Sequence, residues 1–193
     1  MKNLQRIAKG IRMITVPPVM VLFLSIALYA GHNTIFLSNA DVAAAIILLG
    51  IVPILAYPMQ KWIPGFQDKG REGQRKLAFI FNIIGYFAAW GYGLFTHVSP
   101  ELQMLFTAYL LSVLLLSATN QFLKIRASGH ACSTVAPVFF AGYFLDLGWA
   151  LLFLVIAAAS IWASVYLKRH RPREIAVGII VFICSFFMAV LFS

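Results

Sequence analysis

Seven apolar stretches alternate with short polar segments along the chain, at about 13–31, 41–60, 77–96, 102–123, 131–147, 149–167 and 174–193. A membrane-crossing helix needs about 20 apolar residues, or about 17 to 25 when tilted. The pattern therefore predicts an all-α, polytopic transmembrane bundle of six to seven spans. The stretch 131–147 is the weakest, because Pro137, Gly142 and Gly148 interrupt it and Asp146 ends it. Pro17-Pro18 and Pro53 are expected to kink their helices, which neighbouring helices can tolerate by re-satisfying the freed carbonyls. Ala43-Ala44-Ala45, the set Gly85, Gly91 and Gly93, and Ala157-Ala158-Ala159 suit close helix packing. Gln60–Lys76, with Trp62, Ile63 and Phe66 among bases, is expected to lie along the membrane interface as a short amphipathic piece.

The polar segments alternate in charge as well. Lys2, Arg6, Lys9 and Arg12 precede the first stretch, and His32 to Asp41 after it carry no base. Lys61, Lys69, Arg71, Arg75 and Lys76 follow the second, Lys124 and Arg126 the fourth, and Lys168, Arg169, Arg171 and Arg173 the sixth. The breaks between hold only His97 to Glu101 and Asp146 to Trp149. All fifteen bases thus fall on one side. The positive-inside rule makes that side cytoplasmic, which puts the amino terminus inside and Ser193 outside an inner, cytoplasmic membrane.

Composition narrows the class further. Of 193 residues 62% are hydrophobic and 11% charged, with mean hydropathy +0.89; a soluble domain is near half apolar and a quarter charged. The net charge of +9 could point to nucleic acid, but the bases flank apolar helices, so anionic or phosphorylated lipid is the expected partner and nucleic acid is not. Cys132 and Cys184 lie far apart with no metal spacing, and read as two free, buried thiols. A basic start and an apolar run resemble a signal peptide, yet no cleavage site precedes a soluble domain, so a retained first helix is expected. With no repeat, linker or low-complexity tail, residues 1–193 read as a single integral membrane domain.

Three polar clusters carry the candidate chemistry, all on the basic side. The first runs from Asp68 to Lys76 and contains Lys69, Arg71 and Arg75; snorkelling anchors would look the same. The second, Lys124 to His130, leads into the fifth stretch with Ser128, Gly129 and His130 in its first turn. A helix start presents unpaired N–H groups that favour an anion, although Ser128 would equally serve as an ordinary cap. In the third, Lys168 to Glu174, Pro172 suits a first helical position. His170 and Glu174 lie four residues apart, so the carboxylate can hold one imidazole nitrogen and raise the nucleophilicity of the other. Two spans separate each cluster from the next, so the three can converge.

These residues resemble the type 2 phosphatidic acid phosphatase superfamily of integral membrane phosphatases. Ala127-Ser128-Gly129-His130 is similar to its Pro-Ser-Gly-His motif, with alanine for proline. Tyr166 to Gly178 is similar to the end of its third motif, with Glu174 for aspartate and a closing glycine. Lys69, Arg71 and Arg75 approximate its first motif without the Arg-Pro pair, so the phosphatase-like region covers about 60–180. The resemblance implies hydrolysis of a lipid phosphate or diphosphate, of the phosphatidic acid or polyprenyl diphosphate type, through a phosphohistidine. It makes His170 the nucleophile, Glu174 its orienting carboxylate and His130 the acid for the leaving oxygen. Lys69, Arg71, Arg75, Lys124, Ser128 and Gly129 would be phosphate-binding, with no metal or other cofactor. One departure matters: Ala163-Ser164 stands where the family carries Ser-Arg. Lys124, Arg126 or Arg169 is then expected to supply the missing charge.

Two alternatives follow from that departure: a degenerate, non-catalytic lipid-phosphate binder, and a small transporter of phosphorylated lipid. Phosphate release from a lipid substrate separates both from the hydrolase. His32 and His97 read as interface residues near Asp41 and Glu101, and Asp146 as a water-facing residue at a span end. Asn120 and Gln121 either line the pocket or bond between helices.

Overall fold

The computed structural model describes residues 2–192; the expectation for Ser193 lies outside them. Among the described residues all regular structure is helical, as the apolar pattern predicts. The helices are α1 (Lys2–Ile14), α2 (Pro17–Gly31), α3 (Asn39–Ile46), α4 (Val52–Met59), α5 (Gly70–Thr96), α6 (Pro100–Phe122), α7 (Gly129–Phe144), α8 (Leu147–Tyr166) and α9 (Pro172–Leu191). A single π-turn, Ile47–Ile51, joins α3 to α4, so that Asn39–Met59 forms one apolar rod.

Among the described residues five helical segments are long and apolar enough to cross a membrane, and the bent pair α1–α2 would make a sixth. The weak fifth stretch is α7, whose 16 residues give about 24 Å at 1.5 Å per residue, against a hydrocarbon core of about 30 Å. Two boundaries differ from the sequence reading. The first apolar stretch starts at Pro17 rather than at residue 13, and Lys2–Ile14 folds as a separate amphipathic helix bent 61° from α2. The interfacial piece expected over Gln60–Lys76 is a series of turns only to Lys69; from Gly70 the basic residues ride on the first two turns of α5. Pro17 and Pro18 start α2 instead of kinking it, since a proline at the first helical turn forfeits only an N–H that would be unpaired anyway. The π-turn widens the helix just before Pro53, where the ring would otherwise meet a carbonyl.

α7 lies at the centre, packed against α8, α9, α2 and α6, while α5 bridges α6 and α4. Its Phe140 is fully buried and touches the rings of Tyr109, Phe144, Phe182 and Phe186, centroids 5.5 to 6.1 Å apart. Small residues let backbones meet: a Cβ on Gly85 would collide with the Leu48 carbonyl in the π-turn. Cys132 is buried as expected, but Cys184 is exposed on the outer surface of α9, because the inward face of that helix is filled by Val181, Phe182, Ser185 and Phe186.

Contacts between loops sort the two ends of the bundle as the charges do. At one end the Ser99 hydroxyl donates to the Ile35 carbonyl at 2.6 Å, and Gly31 packs on Leu145. At the other, the Ser128 N–H donates to the Glu174 carbonyl at 2.9 Å, and Arg12 reaches Ser164. The second end carries the bases. Asp146 caps α8 by accepting the Trp149 N–H at 3.1 Å.

Candidate functional site

α9 begins at Pro172, and this places His170 just before the helix and Glu174 in its first turn. His170 Nδ1 lies 2.8 Å from Glu174 Oε2, and the same oxygen accepts the Arg171 N–H at 3.3 Å. The carboxylate is thereby fixed from two directions. A proton on Nδ1, donated to Glu174, leaves Nε2 with its lone pair. Both side chains are mostly covered, at 12% and 18% exposure.

α7 is locked to this turn. The Ser128 N–H donates to the Glu174 carbonyl, and a Cβ on Gly178 would strike the Ser128 carbonyl. Glycine at 178 is thus what allows the start of α7 to lie against α9. Two details revise the expected anion site. The Ser128 amide is already engaged by Glu174, so it is not a free donor. The Ser128 hydroxyl accepts the Ala131 N–H at 3.2 Å, which is the work of an ordinary cap. Gly129 is the first helical residue, packed under Leu116.

His130 Nε2 sits 2.9 Å from the Ser160 hydroxyl, which in turn lies 2.9 Å from the Thr15 hydroxyl. Thr15 donates its own proton to the Ile11 carbonyl at 2.8 Å. Because that last acceptor is a carbonyl, the chain has one direction: Nε2–H to Ser160, Ser160 to Thr15, Thr15 to Ile11. The tautomer of His130 is fixed, with Nδ1 left uncommitted.

The expected bases divide into two groups. Arg75 acts electrostatically on His170, Glu174 and Arg126, and Arg126 also acts on Glu174. Arg71 lines a cleft of about 200 Å³ with Lys9, Arg12, Met13, Leu167 and Arg169. Lys69 instead sits over the Phe66 ring at 5.5 Å, and Lys124 is an exposed loop residue at φ 50°. Neither bonds to the histidines: Lys69 ends the turns before α5, and Lys124 follows the C-cap of α6 at Leu123. Asn120 bonds to the loop rather than to a neighbouring span, accepting the Ala127 N–H at 2.8 Å.

The residue that sequence reasoning missed is Arg12. Its Nη1 donates to the Ser164 hydroxyl at 2.7 Å, and its charge acts on Arg71, His130 and His170. The guanidinium that reaches position 164 comes from α1; neither Lys124 nor Arg126 bonds to Ser164, and Arg169 meets it only through its backbone N–H, at 3.0 Å. The signal was present as spacing. Ala8, Arg12 and Thr15 share a helical face apart from Lys2, Arg6 and Lys9, and Ser160 and Ser164 lie one turn apart on an otherwise apolar helix.

Burial lowers the pKa of His170 below the ordinary imidazole value, Glu174 opposes this through its hydrogen bond and charge, and Arg12 and Arg75 add to the lowering. The basic end thus gathers two imidazoles, one orienting carboxylate and at least four guanidinium groups (Arg12, Arg71, Arg75, Arg126). Such a set can bind an anion and present a neutral imidazole to it. No family model, curated protein or solved structure matches the chain.

Proposed function

We propose that the protein is a membrane lipid phosphatase, hydrolysing a phosphate or diphosphate monoester at the membrane surface through a phosphohistidine. The observation that carries this reading is the His170–Glu174 pair at 2.8 Å among arginines that act on it. His170 Nε2 attacks phosphorus while the ester P–O bond breaks, and His130 protonates the departing oxygen. Nε2–H is held by Ser160, so His130 takes up a proton from solvent at Nδ1 and passes it to the departing oxygen, returning to its neutral form. Water then attacks the phosphohistidine, releasing inorganic phosphate and regenerating Nε2. Arg71, Arg75 and Arg126 spread the charge of the pentavalent state by electrostatic preorganisation. Phosphate release from phosphatidic acid and from a polyprenyl diphosphate by detergent-solubilised protein tests the reading. Binding of both lipids without release would leave a lipid-phosphate binder in its place.

The one-sided bases support a cytoplasmic site in an inner membrane. Cysteines engineered at the exposed positions Asn39 and His97, the latter two residues before Ser99, should react with an impermeant maleimide added to intact cells, and one at Lys69 should not. Labelling at Lys69 would reverse the orientation.

The pH profile follows from His170. A nucleophilic imidazole must be neutral, so the rate is present above its pKa and lost as pH falls through it. Because burial, Arg12 and Arg75 lower that pKa, the acid limb of kcat/KM should lie below the ordinary value of about 6.5. Arg75→Ala removes a lowering charge and should move the limb upward; a limb that stays put separates Arg75 from His170.

A further inference from the structure

Arg12 is half-buried and its guanidinium donates one hydrogen bond, to Ser164. Among the described residues the ion pairs are Lys76–Glu72 and His170–Glu174, so no carboxylate neutralises Arg12. It lies instead beside Arg71, with Lys9 and Arg169 on the same cleft. A desolvated cation among like charges is costly unless an anion completes the group. An arginine offers five N–H donors in a planar fork that matches phosphate oxygens in pairs, and only one is used here. The clamp on Arg12 is also specific, since Ser164 is 3% exposed and the neighbouring Thr15 and Ser160 are 2% and 0% exposed. These residues pin the end of α1 against α8.

We infer that Arg12, carried on the surface helix α1 and held by Ser164, is a phosphate ligand of the site, binding the non-bridging oxygens of a phosphorylated headgroup. This deepens the phosphatase reading and rests on it for the identity of the anion. The site is then built from an element outside the apolar bundle. α1 turns Leu4, Ile7 and Ile14 outward, at 44%, 55% and 57% exposure, with Lys2 and Arg6 on another face. A helix of this kind lies in the headgroup region, at the depth where a lipid phosphate is found. Arg12 thus enters the cleft from the level of the substrate headgroup.

The test relocates the charge. Purified protein in detergent is titrated with inorganic phosphate and with short-chain phosphatidic acid, and phosphate release is measured in parallel. Arg12→Ala should weaken binding of both ligands by roughly ten- to hundredfold, the range of a charge-assisted hydrogen bond. Adding Ser164→Arg to Arg12→Ala should recover most of the loss, because the new guanidinium starts from the residue that held the old one. Ser164→Arg alone should not improve binding, since it sets a second cation against Arg12. Arg6→Ala removes the same charge from the outer face of α1 and should change nothing. A loss with phosphatidic acid but not with inorganic phosphate would place Arg12 against the glycerol or chain region and overturn the phosphate assignment. Unchanged affinity in Arg12→Ala overturns the inference while leaving hydrolysis by the unmodified protein intact as support for the phosphatase. A loss that Ser164→Arg does not recover, together with a lower melting temperature, assigns Arg12 to holding α1 in place and likewise overturns it. An unmodified protein that binds both ligands but releases no phosphate, with Arg12→Ala weakening both, sinks the phosphatase and keeps the ligand. An unmodified protein that binds neither ligand overturns both.

Discussion

His170→Ala is expected to abolish phosphate release while leaving phosphate binding within severalfold of the unmodified protein. The nucleophile forms the bond to phosphorus, and removing such a group costs on the order of 10⁶-fold in a well-tuned hydrolase. Binding survives because Arg71, Arg75 and Arg126 do not depend on the imidazole for their placement: the first two stand on α5 and the third in the loop before α7. Brief incubation with labelled lipid phosphate, followed by an alkaline quench, should show an acid-labile label on the unmodified protein and none on His170→Ala. A labelled His170→Ala protein would move the nucleophile elsewhere, His130 being the next imidazole in the cluster. Loss of turnover together with loss of melting cooperativity would point instead to His170 as a packing residue of the α8–α9 turn.

The bundle and its polarity were legible because each rests on a long-range average. Apolar runs of about twenty residues and a one-sided set of fifteen bases survive local irregularity, and so the helices and the basic end came out together. The His170–Glu174 bond was legible for a local reason: four residues at a helix start leave little freedom in where the two side chains meet. What could not be read was how separate elements share a position. Ser164 stands on α8, while the guanidinium that meets it belongs to α1, 152 residues away. No periodicity links them. The Ser128 amide is a similar case: the start of α7 does offer unpaired donors, but one of them is taken by the Glu174 carbonyl of α9. The break at Thr15–Val16, which separates α1 from α2, was blurred because apolar Met13 and Ile14 extend the hydrophobic run past the end of the amphipathic helix.

Glu174→Gln separates an orienting role for the carboxylate from a merely structural one. In the folded chain Glu174 Oε2 accepts from both His170 Nδ1 and the Arg171 N–H, and its backbone carbonyl receives the Ser128 N–H. The substitution leaves the backbone bond and the side-chain volume intact, so the contact between α7 and α9 should persist and stability should change by about 1 kcal/mol or less, the net worth of a typical hydrogen bond. The effect on rate is larger. A neutral amide no longer stabilises the cation that develops as Nε2 is phosphorylated, and its NH₂ end can turn towards Nδ1 and favour the tautomer with Nε2 protonated. The corresponding carboxylate-to-amide change in a serine protease triad costs about 10⁴-fold, and a loss of that order is expected here. Losing the carboxylate also removes the influence that raises the pKa of His170, so the residual activity should show its acid limb at lower pH than the unmodified protein. Phosphate affinity should hold or rise, because a negative charge has left the neighbourhood of Arg75 and Arg126. If Glu174→Gln turns over at the unmodified rate with an unmoved acid limb, the carboxylate serves only to cap α9, and the assignment of His170 as an activated nucleophile loses its main physical support.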